Sequence, residues 1–326
     1  MDWFERITGF KELSYDETKA ALTVVDGKLQ SAHSSRRCFV GELETPSLFQ
    51  LRQRTREIVA RGGGEVRVSS LQGDVRRLHT QPLNNSALFQ VASQFNLLEM
   101  VSPDVTPEAG VTGYQQDRTQ GPACAMAAGA AAIYRNYLVP LDGGTGQTSV
   151  RQFDCLCDLG KALASNGAPL WQMRNGYALC SQEGLATIDA AILSKSHADL
   201  DVLRGLLRIG LHWGVEVTES ATPGQRVTQA FCSALPVSYS AVPAARWERF
   251  ATLVLEAAYE ATLLTALLNR DQTGCPTVFL TSLGGGAFGN DRTWIESAMA
   301  RAFETVRGCE LDVRVVSFGG GGQAKK

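Results

Sequence analysis

The sequence contains no uninterrupted run of eighteen apolar residues, so no segment reads as a membrane-spanning helix. It also lacks a charge bias. Lys and Arg total 31 against 33 Asp and Glu, a formal net charge of −2, which removes the electrostatic case for nucleic acid or an anionic membrane as partner. Histidine is scarce: His33, His79, His197 and His212 are the only four. None stands in an HExxH arrangement, and no G-x-S-x-G elbow is present. Cys155-Leu-Cys157 is too tightly spaced for a CxxC redox or zinc pair. No metal and no cofactor is therefore expected. The eight cysteines form no framework, and Cys180 and Cys232 lie in apolar surroundings. They read as free thiols of a reducing compartment, so the expected location is the cytosol, that of a host if the chain is a secreted effector. The opening MDWFERITGF is acidic and without a long apolar core, unlike a secretory signal.

What is present is a succession of strand and helix signals. ALTVVDGKLQSAH (21–33) sets Asp-Gly between two strand-like runs, a hairpin signal. Thr45-Pro46 predicts the start of a helix reaching about Ala60, with the arginines at 52, 54, 56 and 61 on a solvated face. Strands are predicted over 65–71, 87–95, 226–235, 275–283 and 311–318. GYALCS adds another. Helices are predicted over 121–138, 245–270 and from Asn290 or Asp291 onward, with a long and possibly broken helical region through GLATIDAAILSKSHADLDVLRGLLRIGLHW. Strands alternating with helices argue for an α/β fold with helices on both faces of one sheet.

Two segments carry chemistry. TSLGGGAFGND (281–291) sits between a buried-type strand and a helix start, and Gly284, Gly286 and Gly289 match G-x-G-x-x-G. Unpaired N–H groups and the positive end of the helix dipole suit such a loop to phosphate. A Rossmann site also needs an acidic residue after the next strand, about 20 residues on. Here Glu310 and Asp312 precede that strand's apolar core and the motif lies near the C-terminus, so nicotinamide chemistry is disfavoured. DGGTGQTS (142–149) lacks the lysine and spacing of a phosphate-binding P-loop. The second segment, QFNLLEMVSPDVTPEAGVTGYQQDRTQGPACA (94–125), is a long polar loop running into the alanine-rich helix. It offers Asn96 and the carboxylates Glu99, Asp104, Glu108 and Asp117, with Gln120, Gly121 and Ala123 at a second helix start. Cys124 at that start is a conceivable nucleophile, although its alanine neighbours favour packing.

Together, QGD (72–74), QFNLLE and SLGGGAFGN resemble the macrodomain family of ADP-ribose-binding proteins, over roughly residues 65–318. The family's usual glycine-rich loop after the asparagine is replaced by EMVSPDVTPEAGVTGYQQDRTQGPACA. With ETPSLFQLR (44–52) upstream, that variant is similar to the MavL-type arginine-ADP-ribose hydrolases. The resemblance implies a three-layer α/β/α macrodomain-like core with a central mixed sheet (65–318), helical insertions, an N-terminal extension (1–64) and a flexible tail (319–326). It implies a protein ADP-ribosylhydrolase whose partner is ADP-ribose or an ADP-ribosylated protein such as ubiquitin. The loop from Ser282 through Gly284, Gly285, Gly286, Ala287, Phe288, Gly289 and Asn290 would cradle the pyrophosphate with Gln120, Gly121 and Ala123, and Phe288 would line the distal ribose. Asp74 would accept from the adenine amino group and Asn96 would bond the distal ribose. Asp117, followed by Asp104 and Glu108, would serve an oxocarbenium-like cleavage. A non-catalytic reader, or a hydrolase of Glu/Asp-linked ADP-ribose or of poly(ADP-ribose), is the alternative.

Overall fold

The computed structural model describes residues 1–164 and 169–317; the tail expected at 319–326 lies outside them. Seven strands build the central sheet: β1 (Glu42–Glu44), β2 (Val66–Gln72), β3 (Leu88–Ala92), β4 (Gly210–Glu216), β5 (Arg226–Cys232), β6 (Thr277–Thr281) and β7 (Leu311–Ser317). Their spatial order is β1-β4-β5-β3-β6-β7-β2. From β5 to β2 every neighbour is parallel, while β4 runs antiparallel to β5 and to β1. The C-terminal ends of five strands therefore open on one edge of the sheet. The three-layer α/β/α architecture with a mixed sheet is what the chain forms.

One face carries α2 (Leu48–Arg61), α7 (His197–Leu206), α8 (Glu248–Thr273) and α9 (Arg292–Thr305). The other carries α3 (Val75–Thr80), α4 (Gln120–Ala127) and α5 (Gly129–Tyr137), on which α1 (Trp3–Thr8) and a three-stranded sheet (22–39) pack. Helix α6 (Gln182–Leu193) flanks α8. By length and composition α8 is apolar enough to cross a membrane, a property that counting uninterrupted apolar runs overlooks. In the fold 89% of its apolar window is buried, as the core helix of the sheet.

Several boundaries differ from the sequence reading, each for a local reason. Helix α2 is capped by Ser47, not Thr45: its hydroxyl accepts from Gln50 N while Gln50 returns a bond to Ser47 N. The expected helix over 121–138 is broken at Ala128, where Thr218 donates to Ala127 O and accepts from Gly129 N. The long helical region ends at Leu206, and GLHW is the start of strand β4, paired on both sides. The arginine run is not wholly solvated. Arg52 forks between Asp201 and Glu260, and Arg301 joins the same two carboxylates. Residues 42–61 supply an edge strand and a covering helix to the core layers.

Candidate functional site

The sheet parts at its centre. Strands β3 and β6 pair only at Leu88↔Val278 and Phe89↔Phe279. Beyond these the gap is bridged by side chains: Gln90 Oε1 accepts from Thr281 N at 3.2 Å. Gln120 reaches back from α4 to donate to Gln90 O at 2.7 Å and accept from Ala92 N at 2.8 Å. The chain leaves β3 toward the α4 face and leaves β6 toward the α9 face. Adjacent parallel strands whose connections depart to opposite faces create a crevice at their carboxyl ends, the usual ligand position in such sheets.

The glycine-rich loop forms one rim of this crevice. Gly284 has φ +73°, and a Cβ there would lie 2.4 Å from Ala234 Cβ. Only glycine holds the loop against the chain that follows β5. Asn290 fastens it from the other end, its Nδ2 donating to Leu235 O and its backbone N–H to Gly284 O. Gly285, Gly286 and Ala287 are exposed. Among the described residues the N–H groups of Gly284, Gly286, Ala287 and Phe288 donate to no protein acceptor. Asp291 caps α9 directly behind them. The loop is a set of open donors, the geometry an anion requires.

Phe288 belongs to an aromatic wall with Tyr177 and Tyr239, whose ring centroids lie 5.2–5.6 Å apart. Sequence reasoning missed both tyrosines: Tyr177 read only as part of a strand, and nothing marked Tyr239. Burial raises the Tyr177 hydroxyl well above its ordinary pKa, with Tyr239 and then Asp117 adding to it. Asp117 thus sits within electrostatic reach of the wall. Its Oδ1 accepts from Thr119 N at 2.8 Å, immediately before α4.

The other expected residues separate. Asp104 is exposed and ion-paired with Arg174. Glu108 accepts from Ser149 N and Oγ at 2.8 and 2.9 Å; burial pushes its pKa up, but these bonds outweigh it and hold it below the ordinary value. The three carboxylates are held by different elements and not by one another. Asn96 is fully buried, donates to Gln152 and accepts from Leu98 N, so its amide is committed to the loop and not to the crevice. Gly121 is buried where a Cβ would fall 2.0 Å from Ala92 O, so it lets α4 approach β3. Gln120 is likewise spent on β3, while Ala123 is partly covered and Ser282 exposed at the strand end. Asp74 caps α3 through Arg76 N at the end of the far edge strand. Cys124 is buried with its thiol raised well above the ordinary pKa, first by desolvation, which excludes a resting thiolate nucleophile.

Glu99 lies beneath the crevice, 2% exposed. Burial pushes its carboxyl up to about 7, against the opposing pull of Arg135. The folded chain therefore holds this proton more tightly than the unfolded one, whose carboxyl titrates near 4.5. Glu99 stabilises fully below that value, and its contribution is lost as pH rises through about 7. His79, buried and lowered to about 4 mainly by desolvation, has the opposite slope: its contribution is lost as pH falls. Comparing urea midpoints of wild type and Glu99→Gln from pH 4.5 to 7 isolates the carboxyl. Wild type is expected to lose stability relative to the variant across that window, and parallel profiles would refute the assignment.

No protein-family model matches the chain, and no curated protein does. Among solved structures it is similar to the poly(ADP-ribose) glycohydrolase of Deinococcus radiodurans in complex with ADP-ribose. That match has 10% identity and a TM-score of 0.45, covering 86% of this chain and 89% of that one. It is also similar to the Thermomonospora curvata glycohydrolase bound to the inhibitor ADP-HPD, at 14% identity and a TM-score of 0.41, covering 86% and 81%. At these values no residue correspondence is drawn. The fold and crevice by themselves define a three-layer α/β/α protein with a glycine-rich loop of open N–H donors at the switch point of its sheet.

Proposed function

We propose that the chain binds ADP-ribose in the β3–β6 crevice and hydrolyses the glycosidic bond at C1 of its distal ribose. The observation that carries this reading is the set of four unpaired loop N–H groups beside an aromatic wall and a carboxylate. The donors suit a pyrophosphate, the rings of Phe288, Tyr177 and Tyr239 suit a sugar face, and Asp117 suits a developing oxocarbenium charge or an attacking water. Asp117 Oδ1 has a backbone donor, which orients the carboxyl while leaving a second oxygen for chemistry. Asp74, near the far edge of the sheet, is proposed to take the adenine end, since an extended dinucleotide spans several strand spacings of about 4.8 Å.

For the leaving group we put forward the guanidinium of a modified arginine, on the resemblance of the 94–125 segment, with ubiquitin as a candidate carrier protein. The eight free cysteines suit a reducing compartment, and we place the reaction in the cytosol. The solved structures named above bear the name poly(ADP-ribose) glycohydrolase, so the polymer belongs in the same substrate panel.

The test is release of ADP-ribose from arginine-linked, Glu/Asp-linked and polymeric substrates, alongside calorimetric binding of ADP-ribose. Asp117→Asn is expected to lower turnover by about 100-fold, the usual scale of general acid–base assistance, with ADP-ribose affinity changed less than about threefold. Binding without release from any substrate leaves a reader module. Absence of both refutes the reading.

A further inference from the structure

A second cavity, of about 470 Å3, lies on the α3–α4–α5 face beneath α1 and the strand Ser34–Phe39. It shares no residue with the crevice. Helix α4 is bonded to β3 at Gln120 and meets Thr218 at Ala127, so the two sites stand at opposite ends of an eight-residue helix, about 12 Å apart at 1.5 Å per residue.

Arg6, Arg36, Arg76 and Arg77 line this cavity, and Glu219 is its one lining carboxylate. Glu219 is occupied by Arg6 at 3.1 Å and by Arg76 Nε at 2.5 Å. Asp74, whose charge Arg76 also feels, is committed to the cap of α3. Arg36 donates to the carbonyls of Arg6 at 3.3 Å and Thr218 at 2.6 Å and has no ion pair among the described residues. Arg77 has no ion pair among the described residues. Four guanidinium groups against Glu219 and the neighbouring Asp74 leave two formal positive charges uncompensated. Such an excess around a concavity is unfavourable without an anion.

Trp3 lines the cavity and is 2% exposed. Its ring is fixed by stacking on Tyr114, with centroids 6.5 Å apart and planes 9° from parallel. Ile7 and Met126 give the cavity an apolar flank. The volume falls in the range of small-molecule sites, and planar guanidinium forks match phosphate oxygens better than any other common group.

We propose that this cavity binds an organic phosphate. Its phosphate is held by Arg36 and Arg77, and its carbon skeleton lies against Ile7 and Met126. The site does not depend on the reading of the crevice.

The test titrates the full chain calorimetrically with ribose 5-phosphate, with ribose and citrate as comparison ligands. Saturable binding is expected for ribose 5-phosphate and not for ribose. It is expected to persist in Gly286→Glu, which blocks the glycine loop, and to weaken at least tenfold in Arg36→Gln and in Arg77→Gln. Arg77 is exposed, so Arg77→Gln decides the matter if another variant misfolds. Four results would overturn the proposal: no saturable binding by wild type, loss of binding in Gly286→Glu, undiminished binding in Arg77→Gln, or citrate binding as tightly as the phosphate.

Discussion

Replacing Arg135 by methionine is expected to destabilise the folded chain by about 3–5 kcal/mol at pH 7, the range for breaking a buried ion pair from one side. Arg135 is fully buried on α5. Its Nε donates to Leu97 O at 3.1 Å, and its two terminal nitrogens face His212 Nδ1 at 3.3 Å and Glu99 Oε1 at 3.4 Å. The guanidinium lies 3.9 Å over the Phe231 ring. Methionine fills similar space but leaves the Glu99 carboxyl, the Leu97 carbonyl and an imidazole nitrogen without their donor in the core. His212 is kept neutral, first by burial and then by Arg135 itself, so it cannot take over the charge. The measurement is the urea midpoint. The double variant Arg135→Met/Glu99→Leu is expected to recover more than half of the loss. A single-variant loss below about 1 kcal/mol would show that the pair is replaceable by simple packing.

The second large effect concerns the glycine loop. Gly286 is exposed, and a side chain built on it meets nothing within 4 Å. Gly286→Glu is therefore expected to leave the unfolding midpoint unchanged while weakening ADP-ribose binding by at least about 100-fold, or about 2.8 kcal/mol at 1.4 kcal/mol per decade. The cause is charge: a carboxylate inserted among the open N–H groups occupies the donors that a pyrophosphate needs and repels it. Gly284→Val is the structural counterpart. Its positive φ and its contact with Ala234 mean that this substitution costs stability as well as affinity. Equal binding by wild type and Gly286→Glu, measured calorimetrically, would remove the loop from the ligand site.

Much of the fold was legible in local pattern. The Asp26-Gly27 hairpin turn, the buried strand before the glycines and the Asp291-capped helix α9 are each specified by residues within a few positions of one another. Hydrophobic period and cap chemistry act at that range. The errors fall where a distant residue overrides local preference. Thr218 divides the alanine-rich helix from about ninety residues away, and pairing with β1 and β5 draws GLHW out of a helical pattern. For the site, the 281–291 loop was recognisable because glycine spacing before a helix is a local signal. Asn96 shows the limit of such signals: a polar residue in a loop looks the same in sequence whether or not the fold pairs it, as here with Gln152.

By itself the sequence determined the α/β alternation, the position of the glycine-rich loop between β6 and α9 and the richness of the 94–125 segment in carboxylates. Tertiary structure alone decided which of those groups meet. It tied Asp104 to Arg174 and Glu108 to Ser149, and left Asp117 near Tyr177. It brought Tyr177, Tyr239 and Phe288 into one wall across more than a hundred residues of chain. It also gathered four arginines from α1, α3 and the small sheet around Trp3. The physical reason is range. Caps, turns and amphipathic stripes depend on neighbours three or four positions away, whereas burial, charge compensation and hydrogen-bond satisfaction depend on what the folded chain sets beside a group.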